Sequence, residues 1–285
     1  MTIKVVITAA GLGTRLMPAS KELPKEMLPI YVRNRMGLKL MPLIQALFEQ
    51  LYDLGYREFC FVVGRGKRII EDHFTPDWDF VFFLEEKGKH SLAEDLKRFY
   101  RKVESCTIVW VNQPKPKGFG HAVLMAKPFV GDDRFLVCAG DTYIISSRND
   151  FLRNLVRTHE KAGSHATILL QRVDDPRRYG VAEVRREDGL LKVLKVVEKP
   201  KQPPSNLAIM PFYVFEPEIM EILEHLKPGV GGEIQLTDGI QALIDRGRPV
   251  YGVLLGEHEL RLDIGTPDTY WEAVRLSYEY FSNLR

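Results

Sequence analysis

The sequence has few cysteines and almost no net charge. Its three cysteines, Cys60, Cys106 and Cys138, are widely spaced among 285 residues and form no C-x-x-C pair. Neither a disulfide framework nor a thiolate metal site is therefore predicted, and a reducing, cytoplasmic location is expected. Forty Lys and Arg residues against 38 Asp and Glu give a formal net charge of +2. Because this leaves no global basic field, binding to nucleic acid or to an anionic membrane is not expected.

Long apolar runs are also missing. No segment approaches the ~18 apolar residues of a membrane-spanning helix. The longest candidate, residues 202–215, is interrupted by Pro203, Pro204 and Pro211. The N-terminal segment carries one lysine before a short apolar run, which predicts a buried strand and not a signal peptide.

Short apolar runs rich in β-branched residues predict strands, with helical patterns between them. We expect strands over residues 3–9, 59–63, 107–111, 135–139 and 167–170, and helices over 42–54, 67–74, 92–103, 121–126 and 151–161. This alternation predicts an α/β fold with a doubly wound, mostly parallel but mixed, Rossmann-like sheet. Ligands of such sheets collect outside the carboxyl ends of the strands.

The pattern changes beyond about residue 163. Strands over 181–184, 191–197 and 209–215 follow with little helix between them, and helices over 217–226, 237–245 and 267–281 close the chain. Thr237 is the expected N-cap of the second of these helices. No linker or repeat separates the halves, so we predict one domain, 1–285, with lobes 1–145 and 146–265 and a C-terminal helix 266–285.

A glycine loop directly after the first strand is the most informative segment. Gly11 and Gly13 would let backbone amides approach a phosphate, although two glycines alone also fit a plain turn. A dinucleotide-binding loop requires a third glycine where this chain has Leu16, and a Walker A motif is absent. Arg15 and Lys25 favour the phosphate interpretation, because two cations beside such a loop suit a triphosphate.

With Pro24-Lys25-Glu26-Met27-Leu28-Pro29, this loop resembles the signature of the sugar-1-phosphate nucleotidyltransferases. Segments 64–74, 116–122 and 231–238 are similar to the bacterial branch that uses UTP and glucose 1-phosphate, in the same order along the chain. The resemblance implies a cytoplasmic, homo-oligomeric enzyme that forms UDP-glucose and pyrophosphate with Mg²⁺. The first lobe would then bind the nucleotide, and the β-rich lobe would bind the sugar phosphate.

The implied chemistry needs no general base, because the attacking group is already a phosphate anion. The difficulty is to align two polyanions and to stabilise charge on the transferring phosphoryl group. Cations, backbone amides and a metal ion are therefore the expected components.

The resemblance assigns a role to each matching residue. The catalytic cations are Arg15, Lys25 and Lys199. The nucleotide-binding residues are Ala10, Gly11, Gly13, Thr14, Glu26, Gln113 and Gly118, and the sugar-binding residues are Gly180, Glu198, Asn206 and Glu233. The Mg²⁺ ligands are Asp141, which directly follows a predicted strand, and Asp263, which lies 122 residues further along the chain.

Some features depart from the uridylyltransferase pattern. Residues 31–41 form a longer connection than is typical, Thr142 replaces a second aspartate, and the motif around Asp263 is more like that of thymidylyltransferases. A glucose-1-phosphate thymidylyltransferase or a related sugar nucleotidyltransferase is therefore an alternative. A non-catalytic regulatory subunit that binds nucleotide-sugars is another. The missing third glycine disfavours a dehydrogenase.

Overall fold

A nine-stranded sheet covered on both faces organises the computed structural model, which describes residues 3–284. The strands are β1 (Lys4–Ala9), β2 (Pro29–Asn34), β3 (Gly37–Pro42), β4 (Glu58–Gly64), β5 (Thr107–Gln113), β6 (Phe135–Ala139), β7 (Thr142–Ile145), β8 (Ala166–Arg172), β9 (Gly180–Glu187), β10 (Leu190–Glu198), β11 (Leu207–Phe215), β12 (Val250–Leu254) and β13 (Leu260–Asp263). The helices are α1 (Leu43–Asp53), α2 (Arg68–His73), α3 (Trp78–Glu86), α4 (His90–Glu104), α5 (Phe119–Met125), α6 (Lys127–Val130), α7 (Asp150–Ala162), α8 (Glu218–His225), α9 (Leu236–Asp245) and α10 (Pro267–Asn283).

The large sheet has the strand order β5-β4-β1-β6-β11-β8-β12-β10-β9. Strands β5, β4, β1 and β6 are parallel, as are β8 and β12, whereas β11, β10 and β9 pair antiparallel to their neighbours. The predicted mixed α/β fold is confirmed, and its parallel part carries the β-α alternation read from the sequence. Two small sheets, β7 with β13 and β2 with β3, stand beside the large one.

Side chains of the central strands alternate between two apolar layers. In β1, Val5 and Ile7 pack with helices α1, α4 and α7, while Val6 packs on the other face with α5, α8 and α9. Since successive residues of a strand point to opposite faces, a strand covered on both sides must be apolar throughout. This is why the first strand was recognisable from sequence.

Residues 31–41, the predicted long connection, form most of a β-hairpin. Strand β2 pairs antiparallel with β3, and its apolar side packs with α10 in a third cluster that includes Ile30, Val32 and Ala273. The Tyr31 ring also meets Tyr278 of α10, with centroids 5.1 Å apart. The C-terminal helix therefore packs on its own chain.

One predicted helix start was wrong, and several short elements were not predicted. Helix α9 begins at Leu236 after Gln235, so Thr237 is not its N-cap and instead donates a hydrogen bond to Glu198. Strands β7 and β13 were missed because each has only four residues. Helix α3 was missed because its apolar residues, with Phe82 57% exposed, follow no amphipathic period.

Within residues 3–284, the helices lack the combination of length and apolar character needed to cross a bilayer.

Candidate active site

A cavity of about 420 Å³ opens at the carboxyl ends of β1, β5 and β6. Arg15, Lys25, Asp141 and Glu233 line it. All seven residues assigned to the nucleotide also line it: Ala10, Gly11, Gly13, Thr14, Glu26, Gln113 and Gly118. The location follows the rule that ligands of such sheets bind beyond the carboxyl ends of the parallel strands.

The glycine loop has the backbone geometry that its residues suggest. Gly13 has a φ of 67°, a left-handed conformation that is costly for residues with a Cβ. Its carbonyl oxygen accepts a hydrogen bond from Ser20 Oγ at 2.7 Å, which holds the loop against the following turn. A Cβ on Gly11 would lie 3.7 Å from Lys25 Cε, so the lysine passes directly beside the loop.

Lys25 and Asp141 form an ion pair on the wall of the cavity. Burial disfavours both charges, but each group stabilises the other. As a result the pKa of the Asp141 carboxyl is lowered despite its burial, and the pKa of the Lys25 ammonium is raised despite its burial. Both residues are therefore ionised at neutral pH.

The second predicted metal ligand, Asp263, lies beside Asp141. Strand β13 pairs with β7 so that Asp263 faces Thr142, and the Ile264 amide donates to the Asp141 carbonyl oxygen at 3.0 Å. Burial and the neighbouring Asp141 carboxylate raise the pKa of Asp263. Two acidic groups separated by 122 residues are thus held side by side, where their mutual repulsion favours a bound cation.

Arg15 approaches Asp263 from the glycine loop. A Cβ placed on Gly265 would lie 3.3 Å from Asp263 Oδ2 and 3.7 Å from Arg15 Nη2. The Arg15 guanidinium and the Asp263 carboxylate therefore both lie next to Gly265, where a larger side chain would crowd them.

The sequence analysis missed Lys67, whose ammonium bonds both oxygens of Glu26 at 2.7 and 2.8 Å. Both side chains are buried, and burial raises the pKa of Glu26 and lowers that of Lys67. Lys67 follows the Gly64-Arg65-Gly66 turn at the carboxyl end of β4. That position at the end of a parallel strand was the available signal.

Gln113 and Gly118 lie together at the far wall of the cavity. Gln113 Nε2 donates to the Gly118 carbonyl oxygen at 3.2 Å and lies 2.9 Å from His121 Nδ1. Gly118 has a φ of 104°, and a Cβ there would lie 2.7 Å from Glu233 Cβ. Only glycine fits between these segments, so this wall is closely packed.

Two of the four sugar-binding candidates, Gly180 and Glu198, are neighbours. Glu198 Oε2 accepts a hydrogen bond from Thr237 Oγ1 at 2.6 Å, and a Cβ on Gly180 would lie within 3.1 Å of both atoms. Glu233 is exposed on the cavity wall. Asn206 is exposed and accepts a hydrogen bond from Arg172 at 3.2 Å; like Gly180 and Glu198, it is not among the residues that line the cavity.

Lys199 has a strained backbone, with a φ of 41°. A non-glycine residue adopts this conformation at a cost, and such positions cluster at functional sites. Its side chain is 48% exposed, with Nζ 3.4 Å from Glu198 Oε1, and its amide donates to the Tyr179 carbonyl oxygen at 3.0 Å. The Tyr179 hydroxyl in turn accepts from Arg261 of β13, at 3.2 Å. These bonds connect the strand of Asp263 to the Lys199 segment.

Asp141 and Asp263 do not belong to a larger cluster of potential metal ligands within residues 3–284. Residues 3–284 contain no cluster of three or more His, Cys, Asp or Glu side chains suited to one. A pair such as Asp141 and Asp263 could supply two protein ligands, with the remaining ligands from water and substrate oxygens, as Mg²⁺ tolerates.

Replacing Lys67 tests the buried pair. Lys67→Met leaves the Glu26 carboxylate buried without a partner, so the free energy of unfolding should fall by about 3–5 kcal/mol in urea denaturation. The double variant Lys67→Met/Glu26→Gln should recover much of that loss. Arg68→Met, at the exposed neighbouring position, is the control. A loss below about 1 kcal/mol for Lys67→Met, typical of a surface pair, would contradict this.

Comparison with known proteins agrees with this geometry. The nucleotidyl transferase family model matches residues 4–279. A UTP–glucose-1-phosphate uridylyltransferase of Staphylococcus saprophyticus is 42% identical over 253 residues, which cover 87% of this chain and 83% of the relative.

Solved structures are similar over nearly the whole chain. A UDP-glucose pyrophosphorylase complexed with UDP-glucose superposes with a TM-score of 0.83 at 32% identity, covering 98% of this chain and all of the other. A UTP-bound enzyme of the same kind from Acinetobacter baumannii has a TM-score of 0.84 at 30% identity, covering 100% and 96% of the two chains. The family model and the 42% identical relative establish that this chain belongs to the nucleotidyl transferase family.

Proposed function

We propose that this protein transfers a uridylyl group from UTP to glucose 1-phosphate, giving UDP-glucose and pyrophosphate. The observation that carries the proposal is the convergence of Arg15, Lys25, Asp141 and Asp263 on one edge of the sheet, beside a glycine loop. That set suits phosphoryl transfer, which depends mainly on positioning and on electrostatic stabilisation. The uridylyltransferase names of the relatives support the choice of substrates.

A Mg²⁺ ion fits the paired carboxylates. Asp141 and Asp263 are adjacent, hard oxygen donors, and burial together with the Asp141 charge raises the pKa of Asp263. When bound, the ion would neutralise charge on the phosphates and help to orient them. Lys25 at present supplies the only ammonium in contact with Asp141 among the described ion pairs.

The residues of the chain act by binding and orienting. The amides of the glycine loop would hold the triphosphate, and the Arg15 guanidinium would stabilise charge on the α-phosphoryl group and on the leaving pyrophosphate. Lys25 would move its ammonium from Asp141 to the triphosphate once another cation occupies the carboxylates. Pre-alignment of the reactants can lower the barrier by about 7–11 kcal/mol.

We assign the sugar phosphate to the β-rich part of the chain. Lys199 would bind its phosphate, while Glu198 and Glu233 would accept hydrogen bonds from sugar hydroxyls, with Gly180 leaving room for the ring. Asn206 accepts from Arg172 through Oδ1, and its amide nitrogen would donate to a sugar hydroxyl. The lobes 1–145 and 146–265 and the helix 266–285 are part of this assignment, although one continuous sheet joins the lobes.

The choice between UTP and dTTP depends on the wall formed by Gln113 and Gly118. The two bases differ by one methyl group, which a pocket discriminates by only about 1–3 kcal/mol. The uridylyltransferase names of the relatives favour UTP.

A cytoplasmic location and a homo-oligomeric state also belong to the proposal. The three cysteines are free thiols, as expected in a reducing compartment. Trp271, 66% exposed, and Tyr278, 50% exposed, lie seven residues apart on α10 and offer an aromatic surface for a second copy.

Initial-rate measurements test the function directly. Pyrophosphate release should require glucose 1-phosphate, proceed faster with UTP than with dTTP at equal concentration, and stop when EDTA is added. Faster turnover with dTTP would support the thymidylyltransferase alternative. No turnover under any of these conditions would favour a regulatory subunit.

Replacing either Asp141 or Asp263 tests the proposed metal site. Asp141→Ala and Asp263→Ala should each abolish metal-dependent turnover while circular dichroism shows a folded protein, because each removes a metal ligand. Asp132→Ala, at an exposed position outside the cavity lining, should retain wild-type rates. Wild-type activity in either site variant would remove that aspartate from the metal site.

Lys199 should act on the sugar phosphate. Lys199→Ala should raise the KM for glucose 1-phosphate more than the KM for UTP, and the loss in kcat/KM should correspond to about 2.7–4 kcal/mol, as for other charge-stabilising donors. Steady-state kinetics with each substrate varied in turn measure this difference, and Lys195→Ala is a control at an exposed lysine. A larger effect on UTP would assign Lys199 to the triphosphate instead.

A further inference from the structure

A second cavity, of about 590 Å³, lies beside the β2–β3 hairpin. Its walls come from this hairpin, from α1 and α4, from Tyr143 of β7 with the loop that follows, and from Phe281 near the end of α10. None of its lining residues lines the active-site cavity. The hairpin is the segment that the sequence analysis singled out as longer than usual and that the proposed reaction does not use.

The three carboxylates of this second cavity are all paired with two lysines. Asp95 of α4 accepts from Lys39 of the hairpin at 3.1 Å, and Lys102 of α4 bonds Glu49 and Asp53 of α1 at 3.0 and 2.9 Å. These pairs also tie the hairpin to α4 and α4 to α1. The second cavity is therefore bounded by linked elements.

The arginines of this second cavity lack such close ion pairs with carboxylates. Among the described ion pairs, none joins Arg33 or Arg35 to a carboxylate; Arg33 donates instead to the Phe281 carbonyl oxygen at 3.3 Å. Arg98 has only a long contact to Glu94, at 3.6 Å. An excess of guanidinium groups on a cavity wall suits an anion, and their planar fork matches the oxygens of a phosphate or carboxylate.

A buried amide in the second cavity lacks a hydrogen-bond donor for its oxygen. Gln50 lines this cavity and donates through Nε2 to the Ile144 carbonyl oxygen and to Asn149 Oδ1, both at 2.8 Å. Its own Oε1 is buried and accepts no hydrogen bond. Because an unsatisfied buried acceptor is costly, a small movement that lets a hydroxyl or N–H donor reach it would be favourable.

We propose that this second cavity binds a phosphate monoester that also carries hydroxyl groups. We propose further that binding there changes the KM for UTP at the active site. Arg33, Arg35 and Arg98 would hold the phosphate, and Gln50 would accept from a hydroxyl group. A sugar phosphate and a nucleoside monophosphate share this chemistry, and the experiment below distinguishes them.

Two strands connect the two cavities. Strand β2 starts at Pro29, two residues after the turn that carries Lys25, and leads to Arg33 in the second cavity. Strand β7 starts beside Asp141 and ends before Ser146 in that cavity. At about 3.3 Å per residue, four residues of β7 span only about 13 Å. A ligand that shifts either strand would therefore move Lys25 or Asp141.

Isothermal titration calorimetry on the full chain tests the binding site. Glucose 6-phosphate and UMP are titrated separately into protein saturated with UDP-glucose, which keeps the active site occupied, and inorganic phosphate serves as the reference anion. At least one of the two monoesters should bind one-to-one, and more tightly than inorganic phosphate. Arg33→Ser/Arg35→Ser should weaken this binding by about tenfold or more, the scale of losing a charge-assisted contact. Arg185→Ser/Arg186→Ser, on the exposed β9–β10 hairpin, should leave it unchanged.

The outcomes separate the possibilities. Tighter binding of glucose 6-phosphate identifies a sugar phosphate, and tighter binding of UMP identifies a nucleotide. Binding no tighter than that of inorganic phosphate, or binding insensitive to Arg33→Ser/Arg35→Ser in a variant that circular dichroism shows to be folded, would overturn the site. The saturation step rests on the proposed function; failure of UDP-glucose to bind would count against that function alone, and the same titrations without it would still test the second cavity.

Initial rates test the connection to the active site. The monoester that binds should change the KM for UTP at least about twofold in the wild type and in Arg185→Ser/Arg186→Ser, and should have no effect in Arg33→Ser/Arg35→Ser. Binding with no change in rate would overturn the proposed connection.

Discussion

Two carboxylates that repel each other are held side by side at one edge of the sheet, and the rest of the site depends on that constraint. Asp141 and Asp263 are brought together by the pairing of β7 with β13 and by the amide of Ile264. The positive charge of Lys25 keeps the pKa of Asp141 low, whereas burial and the Asp141 charge raise the pKa of Asp263. The site is thus prepared for a further cation, and an anionic substrate that brings one would relieve the repulsion.

The fold explains why these groups meet. Parallel strands β1, β5 and β6 end at the same edge, so the glycine loop, Gln113 and Asp141 surround one cavity. Short segments then complete it: the turn that carries Lys25 leads into the β2–β3 hairpin, and β13 returns Asp263 from the far end of the chain. Because the hairpin, the β7–β13 sheet and α10 share one apolar cluster, positions outside the cavity can influence its geometry.

The sequence predicted the parts of the structure that depend on local pattern. Apolar strands such as β1 and β6 were recognisable because both of their faces are buried. The position of Asp141 after one of them drew attention to it, but its role as a metal ligand came from the family resemblance. Contacts between distant segments could not be predicted in this way. The partner of Glu26 is Lys67, the hydroxyl of Thr237 bonds Glu198 instead of capping a helix, and Arg261 meets Tyr179. Each of these depends on tertiary packing and leaves no periodic signal along the chain.

A crystal structure with UDP-glucose and Mg²⁺ would show whether the two aspartates bind a cation together. We expect one ion held by Asp141 and Asp263, with the Lys25 ammonium moved from Asp141 to the phosphates. An ion bound elsewhere, with Lys25 still paired to Asp141 and Asp263 without a cation, would contradict this expectation.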